Sequence, residues 1–587
     1  MAYHDRSRPP YGLLLTAMLF AVAFVAIMMP FAEDCEARSS GTCGDGLSWT
    51  LDDSGVLTIS GTGDMKDYSS GGPWGKSVRS VIVKDGATSV GKYAFRGCVS
   101  ITSAKIAGSV ASIGDGAFYN CASLSSVTMG AGIRTIGGSA FYCCASLASV
   151  SLPATLESIK SNAFYGCSSL ASVSIPRSVT FIEQSAFVGC SSLASISVDA
   201  GNAKYSSSAG VLFSKDKKSL KMYPAGKQSG RYAIPGTVES VENYAFYRCS
   251  GLTSVTMPDS VKALGKYVFR GCDDLTSISV GSGNAKYSSA GGVLFSKDKM
   301  TLMVYPAGKQ NAGYSVPSTV AYIGDYAFSG CRSLSSVSLP KSVTYIGDYA
   351  FSGCDSLSSV TTPQSAVNIR SYAFYNCVSL KSAVIGDGAT AIGDRAFSGC
   401  SSLESVSIPG SSTSVRDSAF SNCSSLRSAV IGDGVTQLGN RAFYNCVSLS
   451  SVSIGDRVSS IGDYAFYNCV SLVSANIGKG VSSIGESAFY NCSSLRSVVV
   501  PDSVTQMGSR AFSYCVSLES AVLSGSLPYI GLEAFYGCSS LASVAIPGSV
   551  TSIGTSAFSG CSSLRSVSIP ESVKAMDSSS FYGLSFY

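Results

Sequence analysis

The sequence predicts an elongated solenoid of 23-residue repeats, with one short strand per repeat stacked into a single parallel sheet. Two recurrences carry this reading. A cysteine returns every 23 residues at Cys98, Cys121, Cys144, Cys167 and Cys190, again at Cys249 and Cys272, then eleven times from Cys331 to Cys561. Three residues before each stands a phenylalanine, from Phe95 and Phe118 through Phe328 to Phe558. A strict period of this length means that each unit buries its apolar face against the next, so the 587 residues form one long body rather than several globular domains.

Within a repeat, Leu147, Val150 and Leu152 fit a short strand, and Pro153 ends it for want of an N–H. The second half carries Ile-Gly before Ala-Phe, as at Ile113-Gly114, Ile346-Gly347 and Ile461-Gly462. Glycine there suits a tight turn, and Ala-Phe fills the interior on the return leg. The repeat has room for a strand, two turns and at most one helical turn.

The run from Leu541 to Cys561, Leu-x-x-Val-x-Ile-Pro-x-Ser-Val-x-x-Ile-Gly-x-x-Ala-Phe-x-x-Cys, resembles the leucine-rich repeats of BspA-type bacterial surface antigens, known also from Treponema. Leu170 to Cys190 reads the same way except that Glu183 replaces the glycine, and the resemblance covers about residues 76–587. It implies a leucine-rich repeat fold and a secreted or surface-displayed protein, some relatives being linked to adhesion. It brings no catalytic residue with it.

The N-terminus differs. Arg6 and Arg8 lie in a basic flank, residues 1–8, ahead of an uncharged stretch, residues 9–32, and Glu33, Asp34 and Glu36 follow. Roughly 20 apolar residues cross a hydrocarbon core, so the stretch reads as a signal peptide or a transmembrane signal anchor, with everything after about residue 33 outside the cytoplasm. Residues 43–80, with Leu47, Trp49 and Leu51 facing a return strand at Val56, Leu57 and Ile59, read as an N-terminal β cap. The solenoid then occupies 81–576, and a partial repeat at 577–587, with Phe581, Leu584 and Phe586, closes it.

Two cysteine intervals, Cys190 to Cys249 and Cys272 to Cys331, are each 59 residues long, one repeat plus 36. Their inserts, about 199–234 and 281–316, are copies of one another and read as hairpins attached to the solenoid. Insertions in repeat proteins tend to map to one face and to meet partners there. Lys204, Tyr205, Lys215 and Lys217 in the first insert, and Lys286, Tyr287 and Lys297 in the second, are therefore candidate partner-binding residues.

Twenty-one cysteines in an exported chain ordinarily suggest disulfides. Their even phase argues otherwise, because equivalent side chains on rungs about 4.8 Å apart lie side by side at a spacing too wide for S–S geometry. A ladder of buried thiols, each packed on the phenylalanine of its own repeat, is the expectation. Cys143 is extra to the ladder, and Cys35 and Cys43 stand outside it as a possible pair.

Metal and catalytic chemistry find no support. The sole histidine is His4, ahead of the apolar stretch, and no paired Cys-x-x-Cys unit occurs. Aspartates recur after Ile-Gly at Asp115, Asp325, Asp348, Asp394 and Asp463, where each is expected to cap its own turn. A net charge of +5 with dispersed basic residues argues against nucleic acid. No cofactor, metal or enzymatic activity is expected.

The outer side of the strand is the remaining candidate surface. Serine occupies its middle position in nearly every copy, for example Ser149, Ser405 and Ser566. The position just after leucine carries Lys381, Glu404, Arg427, Arg496, Glu519 and Arg565, and the fourth after it carries Val384, Val430, Val499 and Val522. Exposed apolar side chains beside mixed charge mark a contact surface. The sequence thus predicts a non-enzymatic surface or secreted protein that binds an extracellular protein or glycan through the sheet and inserts. The alternative is a passive envelope spacer.

Overall fold

The computed structural model describes residues 40–366 and 368–583. Each repeat adds one rung to a right-through stack in which every pairing between repeats is parallel. The expected strand is present, as at Ser103–Ile106 and Ser126–Met129, where Ser103 pairs with Ser126 and Ile106 with Met129. Its alternation follows from the sequence: in Ser405–Ile408, Val406 and Ile408 are buried while the two serines face out. The copy at Leu147–Pro153 keeps the buried pattern without forming a ladder strand, and the sheet resumes at Ser172–Ile175.

Each repeat also contributes a second strand of two residues, such as Ser112–Ile113 paired with Thr135–Ile136. Here the Ile-Gly glycine has a role different from the expected one. At Gly347 an added Cβ would lie 2.7 Å from the Asp325 backbone nitrogen and 2.8 Å from the Gly324 carbonyl carbon. The glycine admits the backbone of the preceding rung, and no left-handed φ is involved.

The third side is a run of consecutive turns around Ala-Phe. Alternate N–H groups all point to the following repeat: Tyr93, Phe95 and Gly97 donate to the carbonyls of Asp115, Ala117 and Tyr119 at 2.9, 2.7 and 2.8 Å. That geometry needs left-handed backbone at two sites per repeat, met by Tyr349 (φ 55°) and Gly353 (φ 69°), or by Tyr372 (φ 58°) and Asn376 (φ 55°). Cys143 takes such a site at φ 55°.

The interior is a column of rings. Phe397 stacks between Phe374 and Phe420 with centroids 5.0 and 5.3 Å away. In the cap, three antiparallel strands at Ser40–Thr42, Leu47–Leu51 and Val56–Gly61 bury Trp49 edge-on against Trp74, and Trp74 stacks on Phe95 at 5.1 Å. The cap thus starts the ring column, and its first strand precedes residue 43. At the other end Phe581 stacks on Phe558 at 5.2 Å; Leu584 and Phe586 lie outside the described residues.

The inserts are rungs rather than appendages. Tyr205–Ser208, Val211–Ser214 and Ser219–Met222 form an antiparallel meander whose last strand pairs in parallel with Ser240–Val241, continuing the second ladder. Tyr223 takes the place of the ladder phenylalanine and stacks on Phe246 at 5.2 Å; Tyr305 does the same on Phe328 at 5.1 Å. Val211, Leu212 and Phe213 are all buried, Leu212 against the preceding block and the other two against the following one. Asn202 is fully buried, its Nδ2 donating to Pro176 and Val179 carbonyls at 2.8 and 2.9 Å while its Oδ1 accepts from the Lys204 and Tyr205 N–H groups. Asn284 repeats the arrangement.

The transmembrane helix is an expectation to correct: among the described residues no helix is long and apolar enough to cross a membrane. Residues 9–32, with Arg6, Arg8 and Cys35, lie outside the described residues.

Candidate binding face

Parallel register places equivalent residues of successive repeats in columns along the outer face of the first ladder. Ser382, Ser405, Ser428 and Ser451 stand in one column, and Ser407, Val430 and Ser453 in another. The residues after leucine are linked through the backbone: Arg427 donates to the Glu404 carbonyl at 2.8 Å, Glu404 to Lys381 at 3.1 Å, and Glu519 to Arg496 at 2.8 Å. All ten expected residues of this face, Lys381, Glu404, Arg427, Arg496, Glu519, Arg565, Val384, Val430, Val499 and Val522, are exposed. The four valines keep 50–61% of their surface open. Among the described residues none of the six charged groups is ion-paired.

The columns edge two grooves. One of about 750 Å³ opens beside Val384, between Leu339 and Asp387. The other, about 900 Å³, is lined by Val499, Val522, Asn476 and Pro501 with Asp456 and Lys479 at its rim. Val473, 45% exposed within the charged column, belongs to the same surface and was not singled out from sequence. Its signal was its place directly after Leu472.

The insert residues are placed elsewhere, since their strands belong to the second ladder. Tyr205 is buried, its hydroxyl accepting the Ile182 N–H at 2.8 Å, and half-buried Tyr287 does the same for Leu264 at 3.0 Å. Lys215 and Lys297 donate to the Ala200 and Ser282 carbonyls at 3.0 and 3.2 Å. Lys204, Lys217 and Lys286 are exposed, Lys217 in a left-handed turn at φ 59°.

The recurring aspartates link repeats rather than capping their own turns. Asp115 accepts the Gly138 N–H at 2.7 Å, Asp325 that of Asp348 at 2.9 Å, and Asp463 that of Glu486 at 2.8 Å. In the last described rung Asp577 stands at the glycine position instead and makes a local bond, accepting the Ser579 N–H at 2.9 Å. Asn422, Asn445, Asn468 and Asn491 form a side-chain ladder of their own, each amide donating to the one before at 2.6–3.0 Å.

All twenty cysteines among the described residues are unpaired with one another, and the in-phase ones are buried. Desolvation pushes Cys98 up to about 11 and Cys144 and Cys190 up to about 12. Among the described residues no group of three or more His, Cys, Asp or Glu side chains is placed to hold a metal ion.

Parallel rungs, an outward face of alternate residues and a buried ring column define a leucine-rich repeat solenoid. The chain belongs to the family of the BspA type leucine rich repeat region, whose model matches residues 76–213, 228–308, 307–427, 413–542 and 459–586. No curated protein matches the sequence. Solved structures similar to it include a leucine-rich repeat protein from Bacteroides ovatus, 21% identical, covering 92% of this chain and 98% of that one at a TM-score of 0.37. A leucine rich cell surface protein from Faecalibacterium prausnitzii is 23% identical over 75% and 95% of the two chains (TM-score 0.37). A leucine-rich repeat protein from Eubacterium ventriosum is 24% identical over 77% and 95% (TM-score 0.35).

Proposed function

We propose that this protein works outside the cytoplasm as a non-enzymatic binding or adhesion protein, and that it holds an extracellular protein partner on the outer face of the first ladder. The observation that carries the reading is the set of four valines, each at least half exposed, in register beside unpaired charges of both signs. Strand positions that need only β-propensity are filled here by serine, as at Ser407 and Ser453, so valine at its neighbours adds apolar contact surface. Valine without an aromatic platform suits a protein surface better than a sugar ring.

The test follows from those serines. Changing Val384, Val430, Val499 and Val522 to serine installs residues the ladder already accepts. A panel of immobilised extracellular proteins and glycans would be probed with both forms. Loss of protein binding at unchanged thermal stability supports the reading. Binding that survives all four changes, or a wild-type protein that binds nothing in the panel while spanning a cell surface, favours the spacer.

A further inference from the structure

The two inserts are copies, with Asn202 and Asn284 82 residues apart, yet their seams with the preceding rung differ. In the first, the Glu242 carboxylate accepts from Gln184 Nε2 and, at 3.0 Å, from Lys221 Nζ, while Asn243 Nδ2 donates to Gln184 Oε1 at 2.7 Å. Only about 20 Å³ is left open there. In the second seam Met303 stands for Lys221, Gly324 for Glu242 and Lys266 for Gln184, and the bridge is gone. A cavity of about 250 Å³ takes its place. Phe269 in its wall is 8% exposed, whereas Phe246 and Phe328 in the flanking rungs are at 0%.

The floor is apolar, with Phe269, Leu294 and Met303. The mouth carries both signs of charge, separated by origin: Lys266 and Arg270 come from the rung before the insert, Asp325 and Asp348 from the rungs after it. Arg270 lies over the Tyr326 ring, 4.7 Å from its centroid. Asp348 is held by Arg370 at 3.5 Å, but among the described residues Lys266, Arg270 and Asp325 have no ion pair.

We propose that this seam is a binding site for a free apolar α-amino acid. The carboxylate meets Lys266 and Arg270, the ammonium meets Asp325, and the side chain rests on Met303, Leu294 and Phe269. The volume falls just under the range of about 300–1,000 Å³ typical of drug-sized ligands, which suits leucine and excludes a nucleotide or an oligosaccharide. Charges of both signs at one mouth select a zwitterion over a simple anion, because only a ligand carrying both ends gains both charge-assisted hydrogen bonds. The site lies apart from the valine face and does not depend on it.

Calorimetric titration of the full chain with L-leucine, N-acetyl-L-leucine and L-leucinamide tests this. Leucine should bind, and each blocked form should bind at least about tenfold more weakly. Met303→Lys together with Gly324→Glu rebuilds the pair native to the first seam and should abolish binding without lowering the melting temperature. Asp325→Asn keeps the oxygen that accepts the Asp348 N–H and removes the charge, so it should weaken leucine binding about tenfold even if the double variant fails to fold. Absence of leucine binding at millimolar concentration, equal affinity for N-acetyl-leucine, or an unaffected Asp325→Asn variant would each overturn the proposal.

Discussion

The Cys400 thiol donates to the carbonyl oxygen of Phe374, in the preceding repeat, at 3.1 Å. The bond recurs along the array, from Cys121 to Phe95 at 3.0 Å through Cys561 to Phe535 at 3.2 Å. The thiol is therefore a donor to the preceding rung's backbone as well as a small apolar filler. Cys400→Ala should destabilise its neighbourhood by about 0.5–1.5 kcal/mol, the net worth of one hydrogen bond, because the Phe374 carbonyl keeps the Cys377 N–H at 3.3 Å as its other donor. Cys400→Ser, which still donates, should cost less. Hydrogen exchange in the flanking rungs reads both; a serine variant weaker than the alanine one would show that apolar filling alone matters.

Phe397→Ala should cost roughly 3–5 kcal/mol, since it opens a cavity in the ring column between Phe374 and Phe420. Ser401→Ala, at a position whose hydroxyl makes one long bond of 3.3 Å, should change little. Chemical denaturation compares the two, and equal effects would remove Phe397 from the core. Damage should stay with adjacent rungs, because the repeats are coupled to their nearest neighbours.

Asn202→Ala should destabilise by roughly 2–4 kcal/mol, because the Val179 carbonyl and the Lys204 and Tyr205 N–H groups lose their side-chain partner together, while the Pro176 carbonyl keeps the Val179 N–H. Asn284→Ala should match it. A loss under about 0.5 kcal/mol, the scale of an ordinary surface substitution, would return the insert to the status of a surface appendage.

Ring and thiol positions were legible because a 23-residue period with Phe and Cys in fixed phase has one packing solution. The outer face was legible too, since counting from leucine gives the strand alternation correctly at Lys381, Val384 and their equivalents. The second ladder was not, because a two-residue strand such as Ser112–Ile113 has no alternation to detect. Left-handed backbone at Tyr349 was hidden by residue type, tyrosine being an unusual occupant of that region. The inserts were legible as hairpins, Tyr205–Ser208 against Val211–Ser214, but not their joining of the second ladder, which the run Val211-Leu212-Phe213 signals by its uniform apolarity. The aspartates were assigned the right kind of bond with the wrong partner: sequence shows the following N–H of the same turn, and only the stack supplies that of the next repeat.

Stability should fall as pH rises above about 9. Burial raises the Cys98, Cys144 and Cys190 thiols above the ordinary value, so in that range the unfolded chain loses protons that the folded one retains at these three. The stabilisation is complete below pH 9 and is lost between there and the folded values of about 11 to 12, at about 1.4 kcal/mol per pH unit for each such thiol. Denaturation midpoints at pH 8, 9 and 10 check the sign; a midpoint that rises with pH would contradict it.

The central claim is a reduced ladder of buried thiols, in three runs parted by the two insert rungs, each thiol hydrogen-bonded to the rung before it. Mass mapping after treatment with a bulky thiol reagent tests it most directly. The account predicts that the in-phase cysteines from Cys98 to Cys561 stay unlabelled in the folded protein, that the partly exposed Cys143 reacts first, and that denaturation labels them all. Rapid labelling along the array in the untreated protein, or disulfides between successive repeats, would contradict it.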